Sequence, residues 1–261
     1  MHAQRSPIAI TLSVWRALFL RESLARLFAS RAAWVWVFTE PVFHVAYLMF
    51  IFTAVRVRTV GGIDTAVWIM VGLLAFFMFR RTGTQVQKAV GDNQALFAYR
   101  QVKPVDAVLV RAGLEGFLMV IIAFLLLAGA ALVGYGVMPA DPLAVLEAFF
   151  GLWLVGLGFG LLTSVVSELV SEMGQIIKLI MKPMYLISGV IFPLGLVPQP
   201  YREWLMLNPV AHGLEAARLG FAPYYYAVPE LSLSYMYGFA LVTIFFGLAL
   251  HRRFALFLAA K

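Results

Sequence analysis

The chain has 261 residues, of which 62% are hydrophobic and only 13% are charged. Soluble domains carry about 45–50% apolar and about 25% charged residues, so a soluble globule could not cover its surface with this charge. Together with a mean hydropathy of +0.89, this excludes a soluble enzyme, a nucleic-acid-binding domain and a disordered chain. The composition indicates an all-α polytopic membrane protein. Since the chain has no cysteine, disulfides and thiolate chemistry are also excluded.

The first predicted element is an amphipathic helix over residues 8–29. Ile10 and Val14 share one helical face, whereas Arg16 and Arg26 lie on another. This pattern is typical of a helix lying along the cytoplasmic interface of a membrane. No cleavable signal peptide is evident, because no apolar stretch ends in a small-residue cleavage site.

Apolar stretches then predict six membrane-spanning helices. The second is short, and Pro183, Gly189 and Pro193 interrupt the fifth. Both therefore require neighbouring helices to shield their backbone. The six predicted spans are 32–55, 63–79, 107–135, 143–166, 176–193 and 231–250.

The basic residues predict the orientation of these spans. If the N-terminus is cytoplasmic, sixteen of the twenty Lys and Arg residues fall on cytoplasmic segments. Cytoplasmic loops carry such an excess, so both termini are expected to be cytoplasmic. The four basic residues left outside are Arg56, Arg58, Arg202 and Arg218.

Two connecting segments are more than plain loops. Residues 81–104 are polar and predict a short helix over 84–99. The segment is either a solvated connection or a helix that docks into a cytoplasmic partner. Its composition favours a solvated connection. Residues 194–230 predict two short apolar helices, the second capped by Asn208 with Pro209 at its first position. Each is too short to span, so we expect a re-entrant hairpin in the outer leaflet.

No sequence motif indicates a cofactor site. The chain lacks the glycine-rich ATP-binding motif and any zinc-ligand spacing, so no metal or nucleotide site is expected in this chain. Gly156 and Gly160 lie within a predicted span, where this spacing favours close helix packing over phosphate binding.

Ionisable residues within spans are candidate functional residues, because placing a charged side chain in a membrane costs free energy. Glu40 and His44 share a helical face and could form a structural pair or part of a proton relay. Arg111 and Glu115 have the same spacing and predict a salt bridge.

Polar and aromatic residues of the outer side form a second group. His212, Glu215 and Arg218 recur every three residues and predict a buried network that anchors the hairpin, in preference to a catalytic set. The outer aromatic residues are either an interfacial belt or a surface that stacks on sugar rings. They include Tyr201, Trp204, Phe221, Tyr224, Tyr225, Tyr226, Tyr235 and Tyr237.

The stretch from Ser188 to Arg218 resembles the permease subunits of type-2 ABC exporters, and among them the capsular-polysaccharide export permeases. The resemblance rests on Phe192-Pro193, on Asn208-Pro209, and on Glu215 and Arg218. Residues 99–115 also resemble that family, and the order of segments matches over nearly the whole chain.

This resemblance implies a mechanism. The chain would be a single permease domain over 1–261 that forms a homodimer in the bacterial inner membrane and binds two ATP-binding cassette subunits, which carry ATP and magnesium. It would export a lipid-linked polysaccharide towards periplasmic or outer-membrane partners, with no role for nucleic acid. The 84–99 helix would be the coupling helix, with contacts from Val86, Val90, Asp92 and Phe97.

The resemblance also assigns outer residues. Phe192, Pro193, Asn208, Pro209, His212, Glu215 and Arg218 would form the outer gate. A substrate path would follow Arg56, Arg58, Arg202, Trp204, Tyr224 and Tyr225. Alternatives are an O-antigen, teichoic-acid or small-molecule exporter of the same fold, a membrane-embedded enzyme or ion-coupled carrier using Glu40–His44 and His212–Glu215, and a structural scaffold.

Overall fold

The computed structural model describes residues 6–28, 31–55, 59–226 and 228–260. This part of the chain is almost entirely helical. Its α-helices are α1 (Pro7–Phe28), α2 (Ala33–Val55), α3 (Thr65–Asp92), α4 (Pro104–Leu132), α5 (Pro142–Leu169), α6 (Met173–Ile187), α7 (Tyr201–Leu205), α8 (Pro209–Phe221), α9 (Leu233–Arg253) and α10 (Ala255–Ala260).

Two short strands and two 3-10 helices complete the regular secondary structure of the described residues. Strands β1 (Thr59–Val60) and β2 (Ile63–Asp64) form an antiparallel hairpin. Its two-residue turn is Gly61-Gly62, and both glycines have positive φ, as a tight hairpin turn requires. Short 3-10 helices cover Gln94–Ala98 and Leu194–Leu196.

Helix α3 is the centre of the molecule. Its N-terminal half, up to Phe79, is apolar on all sides and almost completely buried, which is the pattern of a helix surrounded by other helices. It packs against α2, α4, α5 and α8, while α9 packs on the far side of α5. Helix α1 packs against α2 and α4.

Small residues allow α3 and α5 to approach closely. A Cβ atom on Gly156 would lie 2.8 Å from the carbonyl oxygen of Phe79, and one on Gly160 would clash with Val86. On the opposite face of α5, Gly158 packs against Thr243 of α9. The prediction that this glycine stretch serves helix packing is therefore confirmed.

The helix boundaries differ from the predicted ones at two places. Helix α3 continues without a break to Asp92, so the predicted separate helix over 84–99 is wrong: its first half is the end of α3, and only Gln94–Ala98 forms a further short helix. Val86, Ala89 and Val90 are buried and keep the helix apolar on one face beyond the predicted end at residue 79.

The second difference concerns the fifth predicted span. Helix α6 has 15 residues, hence about 22 Å at about 1.5 Å per residue, less than the roughly 30 Å of a hydrocarbon core. In the described part of the chain, five helices are long and apolar enough to cross a membrane, namely α2, α3, α4, α5 and α9. The protein is an all-α polytopic membrane protein.

Two short helices, α7 and α8, precede α9. Asn208 caps α8 by accepting a hydrogen bond from the backbone N–H of Val210 at 3.0 Å, and Pro209 occupies the first turn, as predicted. Helix α8 packs against α3, α5 and α9, so its residues are almost all buried. It is therefore part of the core of the molecule.

Candidate functional site

A cleft of about 1420 Å³ lies between α2, the C-terminal half of α3, and α6. The end of α1 closes one side through Arg26. Its outer edge is apolar, because Trp36, Phe43 and Tyr47 of α2 expose more than half of their surface. The cleft therefore joins a polar interior to a surface suited to lipid chains.

The charge in the cleft is strongly basic. Six cationic side chains line it against one carboxylate, Glu40, whose side chain is 70% exposed. Glu40 lies 3.5 Å from Arg80, which also lies 4.8 Å from the centre of the Phe77 ring. Such an excess of positive charge in a concave site favours anionic ligands. The six are Arg26, Arg80, Arg81, Lys88, Lys178 and Lys182.

Aromatic side chains form the other part of the cleft. Tyr185 of α6 contacts His44, with ring centres 6.1 Å apart, and His44 contacts Phe77 at 5.4 Å. Phe43 and Tyr47 stack with an interplanar angle of 10°. Glu40 thus pairs with Arg80 while His44 packs among rings, so the structure does not bring the predicted Glu40–His44 pair together.

The second in-membrane pair is also different from the prediction. Arg111 donates to Glu22 of α1 at 2.8 Å and to Asp92 at 3.0 Å. Glu115, which is fully buried, instead pairs with Arg26. The predicted Arg111–Glu115 salt bridge is therefore wrong, because each side chain turns to a charge on another helix.

The ion pairs Glu22–Arg111 and Arg26–Glu115 attach α1 to the rest of the molecule. Asn93, at the end of α3, donates to Glu22 at 2.6 Å and accepts from Arg21 at the same distance. Trp15 donates its indole N–H to Asp106 of α4 at 2.9 Å. The amphipathic pattern of α1 predicted an interface helix, but these polar partners could not be read from it.

Burial changes the interpretation of the expected coupling residues. Val86 and Val90 are completely buried in the core between α3 and α5, and Phe97 packs under Leu258 of α10. Asp92 is half exposed, yet it is paired with Arg111. Three of the four side chains are thus unavailable as a docking surface. In the segment between α3 and α4, the exposed residues are Ala95, Ala98, Tyr99, Arg100, Gln101 and Lys103.

Arg202 is the described arginine of the expected outer path, and its charge is paired. Arg202 makes a two-pronged contact with Glu230, at 3.0 Å on each prong, and this contact holds the pKa of Glu230 below its usual value. Trp204 and Tyr224 are exposed, as a surface belt or a sugar-stacking surface requires. Arg56 and Arg58 lie outside the described residues.

Tyr225 and the hairpin residues belong to the core. Tyr225 is buried and accepts a hydrogen bond from Trp68 at 3.1 Å; burial raises the pKa of its hydroxyl. Arg218 lies 3.0 Å from Glu215, donates to the carbonyls of Gly189 and Val190, and stacks on Trp68. Tyr225 and Arg218 therefore cannot line an open path in this conformation.

The predicted buried network on α8 has two separate parts. Glu215 and Arg218 form one, which joins α8 to the end of α6. His212 forms the other, through the carbonyl of Met206 at 2.7 Å and the backbone N–H of Ser232 at 2.9 Å. Phe192 and Pro193 are half buried, and Phe192 packs near Leu194 and Met206. These contacts fix the loop between α6 and α9.

Sequence reasoning missed the cleft because its residues come from four helices. In the sequence, Arg80, Lys178 and Lys182 belong to the sixteen basic residues that predict the cytoplasmic side. One signal was available: Lys178 and Lys182 are four residues apart, hence on one face of a helix. Tyr185 continues that face one turn further.

Within the described residues, no cluster of three His, Cys, Asp or Glu side chains could hold a metal ion.

The fold and the cleft define a polytopic helical membrane protein with a basic internal site. The model of the ABC-2 type transporter family matches residues 13–222, and the chain belongs to this family. It is thus a transport protein, as predicted.

Three relatives are similar over most of their length. The polysialic acid transport protein KpsM of Escherichia coli is 34% identical over 248 residues, covering 95% of this chain and 96% of the relative. The capsule polysaccharide export inner-membrane protein CtrC of Neisseria meningitidis serogroup B is 24% identical, covering 91% and 93%. The corresponding BexB of Haemophilus influenzae is 24% identical, covering 83% and 82%.

Proposed function

We propose that the chain is the permease subunit of an exporter that moves lipid-linked capsular polysaccharide out across the bacterial inner membrane. A separate ATP-binding cassette subunit, with ATP and magnesium, supplies the energy. The observation that carries this proposal is the basic, aromatic-lined cleft between α2, α3 and α6. The names of the three relatives support the choice of polymer.

The chemistry of the cleft suits such a substrate. Of the six lining cations, Arg26, Arg80 and Arg81 are paired with carboxylates, whereas Lys88, Lys178 and Lys182 form no ion pair within the described residues. These three lysines attract an anionic head group or an acidic sugar chain. Rings such as Tyr185 and Tyr47 offer faces on which sugars stack, and the apolar outer edge of α2 accommodates a lipid anchor. In the proposed topology the cleft opens at the cytoplasmic side, since the basic residues lie at that end.

Assembly completes the proposed site. Two copies of the chain form the channel. Helix α2 is among the most exposed of the long apolar helices, so its surface is available to a second copy.

The ATP-binding subunit docks on the exposed segment after α3, around Tyr99, whose surface is 66% exposed. Helix α6 alone is too short to cross, so in this proposal it makes the fifth crossing together with the segment that follows it up to Leu196, and the α7–α8 hairpin forms the re-entrant outer gate.

The test uses a strain that depends on this chain for capsule. The double variant K178Q/K182Q removes two exposed cations of the cleft, and R252Q/R253Q removes two exposed cations at the end of α9 as a charge-matched control. We expect capsule at the cell surface to fall by roughly tenfold in the first variant, with polymer retained inside, and to be unchanged in the second. Equal surface capsule in both, at equal membrane abundance, would refute the proposal.

A further inference from the structure

Glu115 is a fully buried carboxylate at the inner side of the basic cleft. It pairs with Arg26 of α1, and its second oxygen, Oε2, lies 3.6 Å from Arg81 and has no hydrogen-bond partner. Arg81 also donates to the carbonyl of Val37 in α2 at 3.1 Å. The carboxylate is therefore incompletely satisfied, although it is shared by two arginines.

Both arginines also line the cleft. Arg26 retains 20% of its side-chain surface and lies on the boundary between the cleft and a second cavity of about 520 Å³ beneath α1. An anion in the cleft would meet the same guanidinium group that Glu115 binds. A guanidinium has five N–H donors, but its charge is largely compensated while a buried carboxylate holds it.

We propose that Glu115 is an internal counter-ion that competes with the anionic head group of a membrane amphiphile for Arg26. Binding of the head group in the cleft draws Arg26 away from Glu115, and this frees the C-terminal end of α1. The other contacts of α1, from Glu22 to Arg111 and from Trp15 to Asp106, lie nearer its N-terminus and remain. Ligand binding and release of this helix end are thus linked.

This linkage makes opposite variants distinguishable. Replacing Glu115 with Gln removes the competitor, so head groups bind more tightly and the helix end is already free. Replacing Arg26 with Ala also frees the helix end, but it removes one cation from the cleft, so binding weakens. If the two variants only destabilised the protein, both would release the helix end and both would bind head groups more weakly.

The chain has no cysteine, so one introduced thiol reports on α1. Ser23 lies one turn before Arg26, and its hydroxyl oxygen is buried without a hydrogen-bond partner. The rate at which a thiol reagent labels S23C measures how firmly the helix end is seated. The complete chain is placed in phosphatidylcholine nanodiscs, and phosphatidylglycerol is the anionic probe.

We expect phosphatidylglycerol to increase the labelling rate of S23C about tenfold. In S23C/E115Q the labelling rate is already high without phosphatidylglycerol. In S23C/R26A the labelling rate is also high, and phosphatidylglycerol does not change it. Crosslinking of a photoreactive phosphatidylglycerol to the cleft reaches half-saturation at a lower lipid fraction in E115Q and at a higher one in R26A. E147Q, at an exposed glutamate of α5, is the matched control and behaves as the parent protein.

Two results would overturn the inference. One is a slow labelling rate in S23C/E115Q, equal to that of S23C. The other is a shift of lipid binding in the same direction in E115Q and R26A. The inference rests on the proposed function for its choice of ligand, yet the readouts need no transport. An intact labelling response combined with normal export by K178Q/K182Q would count against the proposed function alone.

Discussion

At the scale of single residues, the most constrained group is the ion pair inside α8. Arg218 and Glu215 are both completely buried, and the two terminal guanidinium nitrogens of Arg218 also donate to the carbonyls of Gly189 and Val190. A buried pair contributes little net free energy when intact, but it is costly to break, since the remaining charge has no partner.

We therefore predict that R218M, which leaves Glu215 unpaired, lowers the free energy of unfolding by about 3–5 kcal/mol. The double variant R218M/E215Q recovers part of this loss, because it leaves no isolated charge. Thermal unfolding of the detergent-purified protein measures both, with R252M at an exposed arginine as the control. A double variant less stable than R218M would contradict this account.

The ion pair between Arg202 and Glu230 behaves differently, because it is partly exposed. Its contact holds the pKa of Glu230 below the value of an unfolded chain. The stabilisation is thus present at neutral pH, above the unfolded pKa, and is lost as the pH falls through the lower folded pKa. Screening limits it to less than about 1 kcal/mol.

We predict that hydrogen exchange in α7 is slower in the parent protein than in E230Q at pH 7. The difference narrows as the pH falls and disappears below the lowered folded-state pKa of Glu230, where the carboxyl is protonated in both the folded and the unfolded protein. Comparing the two proteins at each pH removes the intrinsic pH dependence of exchange. A difference that does not narrow as the pH is lowered would show that the loop is held by other contacts.

At the scale of elements, contact between α3 and α5 depends on glycines at the crossing. Gly160 lies against Val86, whereas a Cβ on Gly113 of α4 would meet nothing within 4 Å. Both glycines lie inside helices, so replacing either one with alanine gives a similar gain in intrinsic helix propensity.

We predict that G160A destabilises the protein by about 1–3 kcal/mol, because the added methyl group separates two buried helices. G113A is neutral or stabilising by up to about 1 kcal/mol, since alanine favours the helix and has room. Thermal unfolding of the two variants under identical conditions measures this difference. Equal stability would show that α5 can shift to accept the methyl group.

At the scale of the whole molecule, the orientation in the membrane remains a prediction from charge. Tyr99 follows α3 and Met138 lies between α4 and α5, and both are well exposed. They fall on opposite sides of the membrane if α4 crosses it once.

Because the chain has no cysteine, single thiols can report on this orientation. We predict that a membrane-impermeant maleimide labels M138C in intact spheroplasts and labels Y99C only after the membrane is opened. Labelling of both under the same condition would contradict the proposed topology. A25C, on α1, should behave as Y99C does.

The class of protein, the long helices and the local caps could be predicted without the fold, because they depend on composition and on neighbours in the chain. Too little charge excluded a soluble fold, apolar runs marked the long helices, and Asn208-Pro209 marked the start of α8. The glycine pattern in α5 also indicated close packing before any partner was known.

Which charged side chains form pairs could not be predicted, because it depends on how the helices pack. Spacing within one helix suggested Glu40–His44 and Arg111–Glu115, whereas the folded chain pairs Glu40 with Arg80 and brings Arg26 to Glu115 from α1. Burying a charge is costly unless it is paired, and the partner that the fold brings to the buried Glu115 is Arg26, which is distant in the chain. Glu40 stays largely exposed and pairs with Arg80 at the surface of the cleft. The cleft shares this origin, since its six cations come from three separate helices and meet only when α1, α3 and α6 pack.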